Sequence, residues 1–209
     1  MAYIVFDFDG TLADIKMLML DIGNNIAANH GWPAIDEATY QELSRGSIRD
    51  GLKRLKIPLR EVPFAAMEGK KMLMSRTDEI QIFPGIPEVI EKLRTSGHKL
   101  FVLSANSQKL IIDVLNRHKL GDQITVLPSS GLFGKAASLK RFMRKYRANK
   151  SEVWLVGDEL RDIEAAKRAG VQVMAVTWGL QNPETLKAAN PTCIVSNPNE
   201  ILDWFNKNK

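Results

Sequence analysis

Residues 3–11 read YIVFDFDGT, and the fold class depends on how this stretch is taken. Tyr3, Ile4, Val5 and Phe6 form an unbroken β-branched and aromatic run, the pattern of a strand covered on both faces. Asp7, Phe8, Asp9, Gly10 and Thr11 follow directly. Alternation in an extended segment puts Asp7 and Asp9 on the same side, and Gly10 leaves the chain free to turn tightly behind them. Two carboxylates then converge at the C-terminal end of a strand. Like charges so close are costly unless a cation lies between them or one keeps its proton. The plain alternative is a polar turn at a strand end.

Outward from this stretch, similar runs recur at KLFVLS (99–104), VWLV (153–156) and VQVMAV (171–176), with weaker ones at ITVL (124–127) and TCIV (192–195). Between them lie helix-length segments with apolar residues three and four apart, such as Ile86, Val89, Ile90 and Leu93, then Ile111, Ile112 and Leu115. Strand alternating with helix predicts an α/β fold, a Rossmann-like parallel sheet with helices on both faces. The exception is the stretch 15–80, which has helical periodicity, no convincing strand and five of the eight methionines, Met17, Met19, Met67, Met72 and Met74. It reads as a small all-helical domain inserted into a core made of residues 1–14 and 81–209. Turn-prone residues mark both ends, Gly10 and Thr11 on one side and Phe83, Pro84 and Gly85 on the other. The methionines read first as filler in the core of a small bundle, and second as a pliable surface for varied ligands.

The bulk properties exclude several classes. A chain of 209 residues with 44% hydrophobic content has enough apolar material for one packed domain and a smaller accessory one. No apolar run approaches the roughly 18 residues that span a bilayer, and the first residues lack the basic segment that opens a secretory signal, so a cytoplasmic protein is expected. The single Cys193 sits in an apolar run, where burial as a small hydrophobe is the expected role, and a reducing compartment fits. The net charge of +5 and pI near 9.3 suit nucleic acid or a small anion, but lysine and arginine are scattered along the chain. No nucleic-acid partner and no membrane are expected.

Three further motifs carry chemistry. Ser104, Ala105 and Asn106 follow the strand KLFVL, where a hydroxyl and the backbone N–H groups entering a helix near Gln108 make a phosphate cradle. Taken alone, Ser104 is equally a helix N-cap. Lys135 follows two glycines in GLFGKAASL and, taken alone, is a solvated surface lysine. GDELRD (157–162) spaces Asp158 and Asp162 four apart, which on the first turn of a helix stacks both carboxylates on one face to meet a metal. Acidic capping of a helix is the alternative there.

Each motif is modest alone, but all four follow a predicted strand or open a predicted helix, in one order. DFDGT, LSAN, GK and GDELRD resemble the four successive signature motifs of the haloacid dehalogenase-like hydrolases, and the resemblance covers nearly the whole chain. It implies a phosphatase that hydrolyses a small phosphorylated metabolite. Asp7 would be the nucleophile, transiently phosphorylated, and Asp9 the acid-base that protonates the leaving alcohol and then activates water. Ser104 and Lys135 would serve the phosphoryl group, with Thr11, Ala105 and Asn106 beside them. Mg²⁺ would be held by Asp7, Asp9, Asp158 and Asp162. The chemistry is coherent, because an anionic ester and a carboxylate repel each other until cations neutralise them.

Residues 15–80 occupy the place where one branch of that superfamily carries a helical cap over the site. Within them, SRGSIRDGLKRL (44–55) resembles the substrate-specificity loop of phosphoglycolate phosphatase-like and phosphoglucomutase-like members, making Arg45 and Arg49 candidates for the substrate's far end. A solvated basic helix face is the alternative. VTWGLQNPETLKAANPTCIVSNPNEIL (176–202) resembles the C-terminal stretch of phosphoglycolate phosphatase-like members. A phosphomutase on the same site, or a non-catalytic phospholigand-binding protein that has kept the fold, are the competing readings. The oligomeric state is not encoded in any of these motifs.

Overall fold

The computed structural model describes residues 1–128, 131 and 134–207. Strand β1 (Tyr3–Phe6) is followed by β2 (Ala13–Asp14) and by helices α1 (Lys16–His30), α2 (Glu37–Leu43), α3 (Ile48–Arg54) and α4 (Val62–Ser75). Then come β3 (Gln81–Ile82), α5 (Ile86–Thr95), β4 (Lys99–Val102), α6 (Gln108–Arg117), β5 (Thr125–Val126) and α7 (Lys135–Tyr146). The chain ends with β6 (Val153–Gly157), α8 (Leu160–Ala169), β7 (Gln172–Val176), α9 (Pro183–Ala188), β8 (Cys193–Val195) and α10 (Pro198–Lys207).

Six of these strands form one parallel sheet in the order β5-β4-β1-β6-β7-β8. The expected α/β class is therefore what the chain adopts, and the two weak runs ITVL and TCIV supply the edge strands β5 and β8. Alternate residues of each central strand feed opposite faces. Ile4, Phe6, Leu100, Val102, Val156, Met174 and Val176 join one apolar cluster, which holds residues of α5, α6 and α10. Tyr3, Val5, Phe101, Leu103, Val153, Leu155, Val173 and Ala175 join a second, with residues of α7, α8 and α9. Burial on both faces is why these strands read as continuous apolar runs. In α6, Ile111 and Leu115 are buried, whereas Ile112, one position round the helix, is 40% exposed.

From β1 the chain winds outward to β4 and β5, then crosses back to β6 and continues the other way. Loops diverge at such a switch point and leave a crevice beyond the C-terminal ends of the strands. All four sequence motifs lie at that end.

The strands β2 and β3 form a separate two-stranded antiparallel ribbon, with Ala13 opposite Ile82 and Asp14 opposite Gln81. Two residues each are too few to show periodicity, so the sequence reading lacks them. Four helices lie between, with no strand among the described residues 15–80. Leu18, Ile22, Ile26 and Leu73 of α1 and α4 are buried in the same apolar cluster as Phe8, Leu12, Ile15 and Ile80. Leucine and isoleucine therefore fill this bundle, and the first reading of the methionines is corrected. Met17 and Met67 are 71% and 67% exposed, Met19 and Met74 are exposed too, and only Met72 packs against the core. Met17 and Met19 flank Leu18, and the helical rotation that buries Leu18 turns them outward.

The scattered cations are partly gathered by folding. Lys140, Arg144, Arg147, Lys150, Lys167 and Arg168 line one hollow of about 740 Å³ at the C-terminal ends of α7 and α8. The partial negative charge of two helix ends favours cations there.

Candidate active site

Asp7 extends β1 by one residue, its N–H donating to Val156 O of β6 at 2.8 Å. The next turn is tight: the N–H groups of Thr11, Leu12 and Ala13 all point to Phe8 O, at 3.3, 3.0 and 2.9 Å. Gly10 has φ +73, and a Cβ there would overlap the Asp158 carboxylate, so both conformation and space require glycine. Asp158 ends β6 in the same way, fully buried. Its Oδ1 accepts from Thr11 Oγ1 at 2.7 Å and its Oδ2 from Leu180 N at 2.8 Å.

Asp7, Asp158 and Asp162 are all buried, and each offers an oxygen within 4.8 Å of the others. Asp158 and Asp162 meet, but not by stacking on one helical face. Glu159 is the N-cap of α8, so Asp158 precedes the helix while Asp162 sits at its third position in a capping box, accepting from Glu159 N at 3.2 Å. Lys135 is no surface lysine. At the first position of α7 and 7% exposed, it reaches Asp7 Oδ2 at 2.8 Å and Asp162 Oδ1 at 2.5 Å.

Three expectations are corrected by the geometry. The Asp9 carboxylate is not part of the three-aspartate group; it turns toward the second motif, accepting from Asn106 Nδ2 at 2.8 and 2.7 Å and from Ser104 Oγ at 3.3 Å. The chain bends at Phe8, between the two aspartates, so the two-residue alternation fails there. Thr11 is fully buried, and its hydroxyl donates to Asp158 Oδ1. Asn106 likewise holds Asp9. The N-cap reading of Ser104 also falls, because Ser107 caps α6, accepting from Leu110 N at 3.3 Å. In the third motif, Leu132 and Phe133 lie outside the described residues.

The electrostatics are lopsided. Five acidic side chains, Asp7, Asp9, Asp158, Glu159 and Asp162, face two cations, Lys135 and Arg161. Burial raises Asp7 above its ordinary value, with Lys135 opposing. Burial, then the charge on Asp7, lifts Asp9 to about 6. Asp158 is raised well above the usual range by burial and by Glu159, Asp7 and Asp162, and burial lifts Glu159 to about 7. Burial works against the charge on Lys135, but Asp162 and Asp7 outweigh it and hold the ammonium above an ordinary lysine. Buried carboxylates this short of counter-charge are the mark of a cation site. The donor set is all oxygen, as Mg²⁺ prefers, and Mg–O bonds of ~2.1 Å place ligands ~3 to ~4.2 Å apart. The 4.8 Å spread of the aspartates accommodates that with small adjustment.

Beside the cluster, a cavity of about 670 Å³ opens between the helices that follow β2 and the α7 and α8 side of the sheet. Lys135, Ala105, Arg161 and Glu159 line it on the sheet side, and Ser47, Arg49, Leu52 and Leu59 on the other. Arg49 thus lines the cavity beside the cluster. Arg45 does not line this cavity; it is exposed, and its carbonyl accepts from Thr185 Oγ1 at 3.2 Å. Arg45 belongs to the turn between α2 and α3, whereas Arg49 lies in the first turn of α3. Glu159 and Arg161, which form an ion pair, were missed although both lie inside GDELRD. Gln181 was missed as well, and the turn-prone WGLQNP after a strand was the available signal.

Known proteins resemble this chain in sequence and in fold. The family model described as haloacid dehalogenase-like hydrolase matches residues 4–176. A phosphoglycolate phosphatase of Synechococcus elongatus is 31% identical over 203 residues, covering 97% of this chain and 96% of that protein. An N-acetylmuramic acid 6-phosphate phosphatase of Pseudomonas aeruginosa is 25% identical over 218 residues, covering 98% and 94%. The structure of a haloacid dehalogenase-like family hydrolase from Streptococcus pneumoniae superposes with a TM-score of 0.83 at 20% identity, covering 98% of each chain, and shows the shared fold. With the family model spanning most of its length and a relative aligned from end to end, the chain belongs to the haloacid dehalogenase-like hydrolases.

Proposed function

We propose that this hydrolase cleaves a small-molecule phosphate monoester in two steps, with Asp7 as the nucleophile. The observation that carries the reading is Asp7 itself: a buried carboxylate at the switch point of the sheet, paired with Lys135 and flanked by Asp158 and Asp162. An Asp7 oxygen attacks phosphorus, the ester P–O bond breaks, and Asp9 gives its proton to the leaving alkoxide. A water then attacks phosphorus, its proton passing to Asp9 as the P–O bond to Asp7 breaks, which releases inorganic phosphate and restores the Asp7 carboxylate and the protonated Asp9. A carboxyl held near pH 6 is suited to both halves of that exchange. Asn106 and Ser104 orient it.

Asp7, Asp158 and Asp162 would hold Mg²⁺, which when bound supplies the positive charge that lets an anionic ester approach a carboxylate. Lys135 contributes a fixed charge to the same end, and Thr11 holds Asp158 in place. The helices between β2 and β3 act as a cap over the cavity, excluding bulk water while the ester is bound and presenting Arg49 to the far end of the substrate. In this reading the core comprises residues 1–14 and 81–209 and the cap residues 15–80. Among the described residues no helix is long and apolar enough to cross a membrane, which fits a cytoplasmic enzyme acting on a soluble metabolite.

The test is release of inorganic phosphate from acetyl phosphate, p-nitrophenyl phosphate, phosphoglycolate, sugar phosphates and nucleotides, with and without Mg²⁺. One ester is expected to stand at least about tenfold above the rest in kcat/KM. No Mg²⁺-dependent release from any of them would remove the phosphatase reading, and phosphoryl transfer within a sugar phosphate without release would replace it by a mutase.

A further inference from the structure

Among the described residues, the helical segment and the sheet domain touch through polar groups at two places. At its base, the Arg117 guanidinium donates to Thr77 O and Ile80 O, both at 2.7 Å. At its far end, the loop after β7 clasps the turn after α2. Gln181 Nε2 donates to Ser44 O and, at 3.1 Å, to Gly46 O, and Asn182 N donates to Ser44 O at 3.0 Å. Thr185 Oγ1 donates to Arg45 O at 3.2 Å, and Tyr40 Oη donates to Leu180 O at 2.7 Å. The carbonyls just past the C-terminus of α2 have no helical partners, and the sheet domain supplies the donors.

The clasping loop is itself anchored to the catalytic carboxylates. Leu180 N donates to Asp158, Trp178 Nε1 donates to Thr11 O at 3.1 Å, and Leu160 N at the start of α8 donates to Gln181 Oε1 at 3.4 Å. Gly179 lies so close that a Cβ there would overlap both the Asp158 side chain and Gly10 O. One face of the loop is thus fixed by the metal-cluster aspartate, the other grips residues 44–46. Ser47, the very next residue, is the N-cap of α3, and Arg49 lies in that helix's first turn, facing the cavity.

We propose that Gln181, supported by Tyr40, is a positioning residue: it sets the 44–46 turn, and through it α3 and Arg49, over the active-site cavity. Its amide bridges the helix that carries Asp162 and the turn that leads into the helix of Arg49, the oxygen accepting from one and the nitrogen donating to the other. Neither Gln181 nor Tyr40 has a part in bond making. The consequence for catalysis rests on the phosphatase reading above; the clasp itself does not.

Amide hydrogen exchange and kinetics on the full chain test it together. Replacing the clasp donors, Gln181→Ala is expected to speed exchange of amides in 44–55 about tenfold, leaving those of β6 unchanged. Tyr40→Phe, which removes one hydroxyl and little volume, is expected to do the same to a smaller extent. Both variants are expected to raise KM for phosphoglycolate, whose carboxylate Arg49 can grip, several-fold more than KM for p-nitrophenyl phosphate, which has none. Gln181→Glu keeps the acceptor but loses the donor and is expected to behave like Gln181→Ala. Unchanged exchange in 44–55 in all three variants overturns the proposal whatever the catalytic data show. Faster exchange with equal KM changes on the two esters overturns the positioning of Arg49. If wild type hydrolyses neither ester, the phosphatase reading loses support while the exchange data still decide the clasp.

Discussion

Asp158→Asn tests the cation site by a route that needs no substrate. In the metal-free protein Asp7, Asp158 and Asp162 crowd together against one lysine, and a divalent cation that binds only the folded state stabilises it by mass action. At a hundred times Kd that is worth ~2.7 kcal/mol. For a chain of this size each kcal/mol moves Tm by ~2–4 °C, so Mg²⁺ is expected to raise Tm by about 5–11 °C over EDTA. Asp158→Asn removes one of three anionic ligands but keeps its shape, and is expected to cut the shift below about 2 °C. Its Tm in EDTA should stay within a few degrees of wild type, because a carboxyl group costly to ionise in the buried site is removed while the amide oxygen still accepts from Thr11.

The pH dependence has a definite sign. Asp9 and Glu159 titrate at about 6 and about 7 when folded, against ordinary values of 3.8 and 4.5. Asp7 and Asp158 are raised too. The folded state therefore holds these protons more tightly than the unfolded one. Metal-free stability from these groups is full below about pH 4 and is lost as pH rises toward about 7. Mg²⁺ competes with those protons, so its Tm shift should grow through the same window. Differential scanning calorimetry from pH 4 to 8, with EDTA or Mg²⁺, measures both. A Mg²⁺ shift that is absent at pH 7.5, that survives in Asp158→Asn, or that shrinks as pH rises refutes the reasoning.

Asp7→Asn removes the attacking charge and almost no volume; turnover should fall by about 10⁴-fold or more while melting stays cooperative, and appreciable residual turnover contradicts the nucleophile. Lys135→Met leaves two buried carboxylates without their cation, and urea unfolding at neutral pH should show a loss of about 3 kcal/mol that shrinks as the acids protonate on acidification. Arg49→Ala is expected to raise KM for phosphoglycolate roughly tenfold, whereas Arg45→Ala, which does not line the cavity, should stay within about twofold. Phe6→Ala, fully buried in β1, should cost about 3–5 kcal/mol by denaturant unfolding, and a loss below about 1 kcal/mol would mean that the site collapses freely.

The features legible in the residues alone follow local rules. YIVF, KLFV, VWLV and QVMAV are strands buried on both faces, and such strands must be apolar throughout, so their runs stand out. Asp7, Lys135, Asp158 and Asp162 were legible because each follows a strand or opens a helix in a fixed order. Direction and pairing were not. Asp9 has the same spacing from Asp7 that an extended strand would give it, yet the turn around Phe8 O sends its carboxylate to Asn106, 97 residues away. Ser104 and Ser107 are equally good N-caps in isolation, and the start of α6 chose the second. Arg45 and Arg49 differ by one helical turn, and only the clasp on the Ser44–Gly46 turn decides which one meets the cavity. Beyond its place in the turn-prone WGLQNP, nothing marks Gln181, because its role is a set of hydrogen bonds to carbonyls 135 and 137 residues away, and a backbone carbonyl leaves no mark on the residue type that bears it.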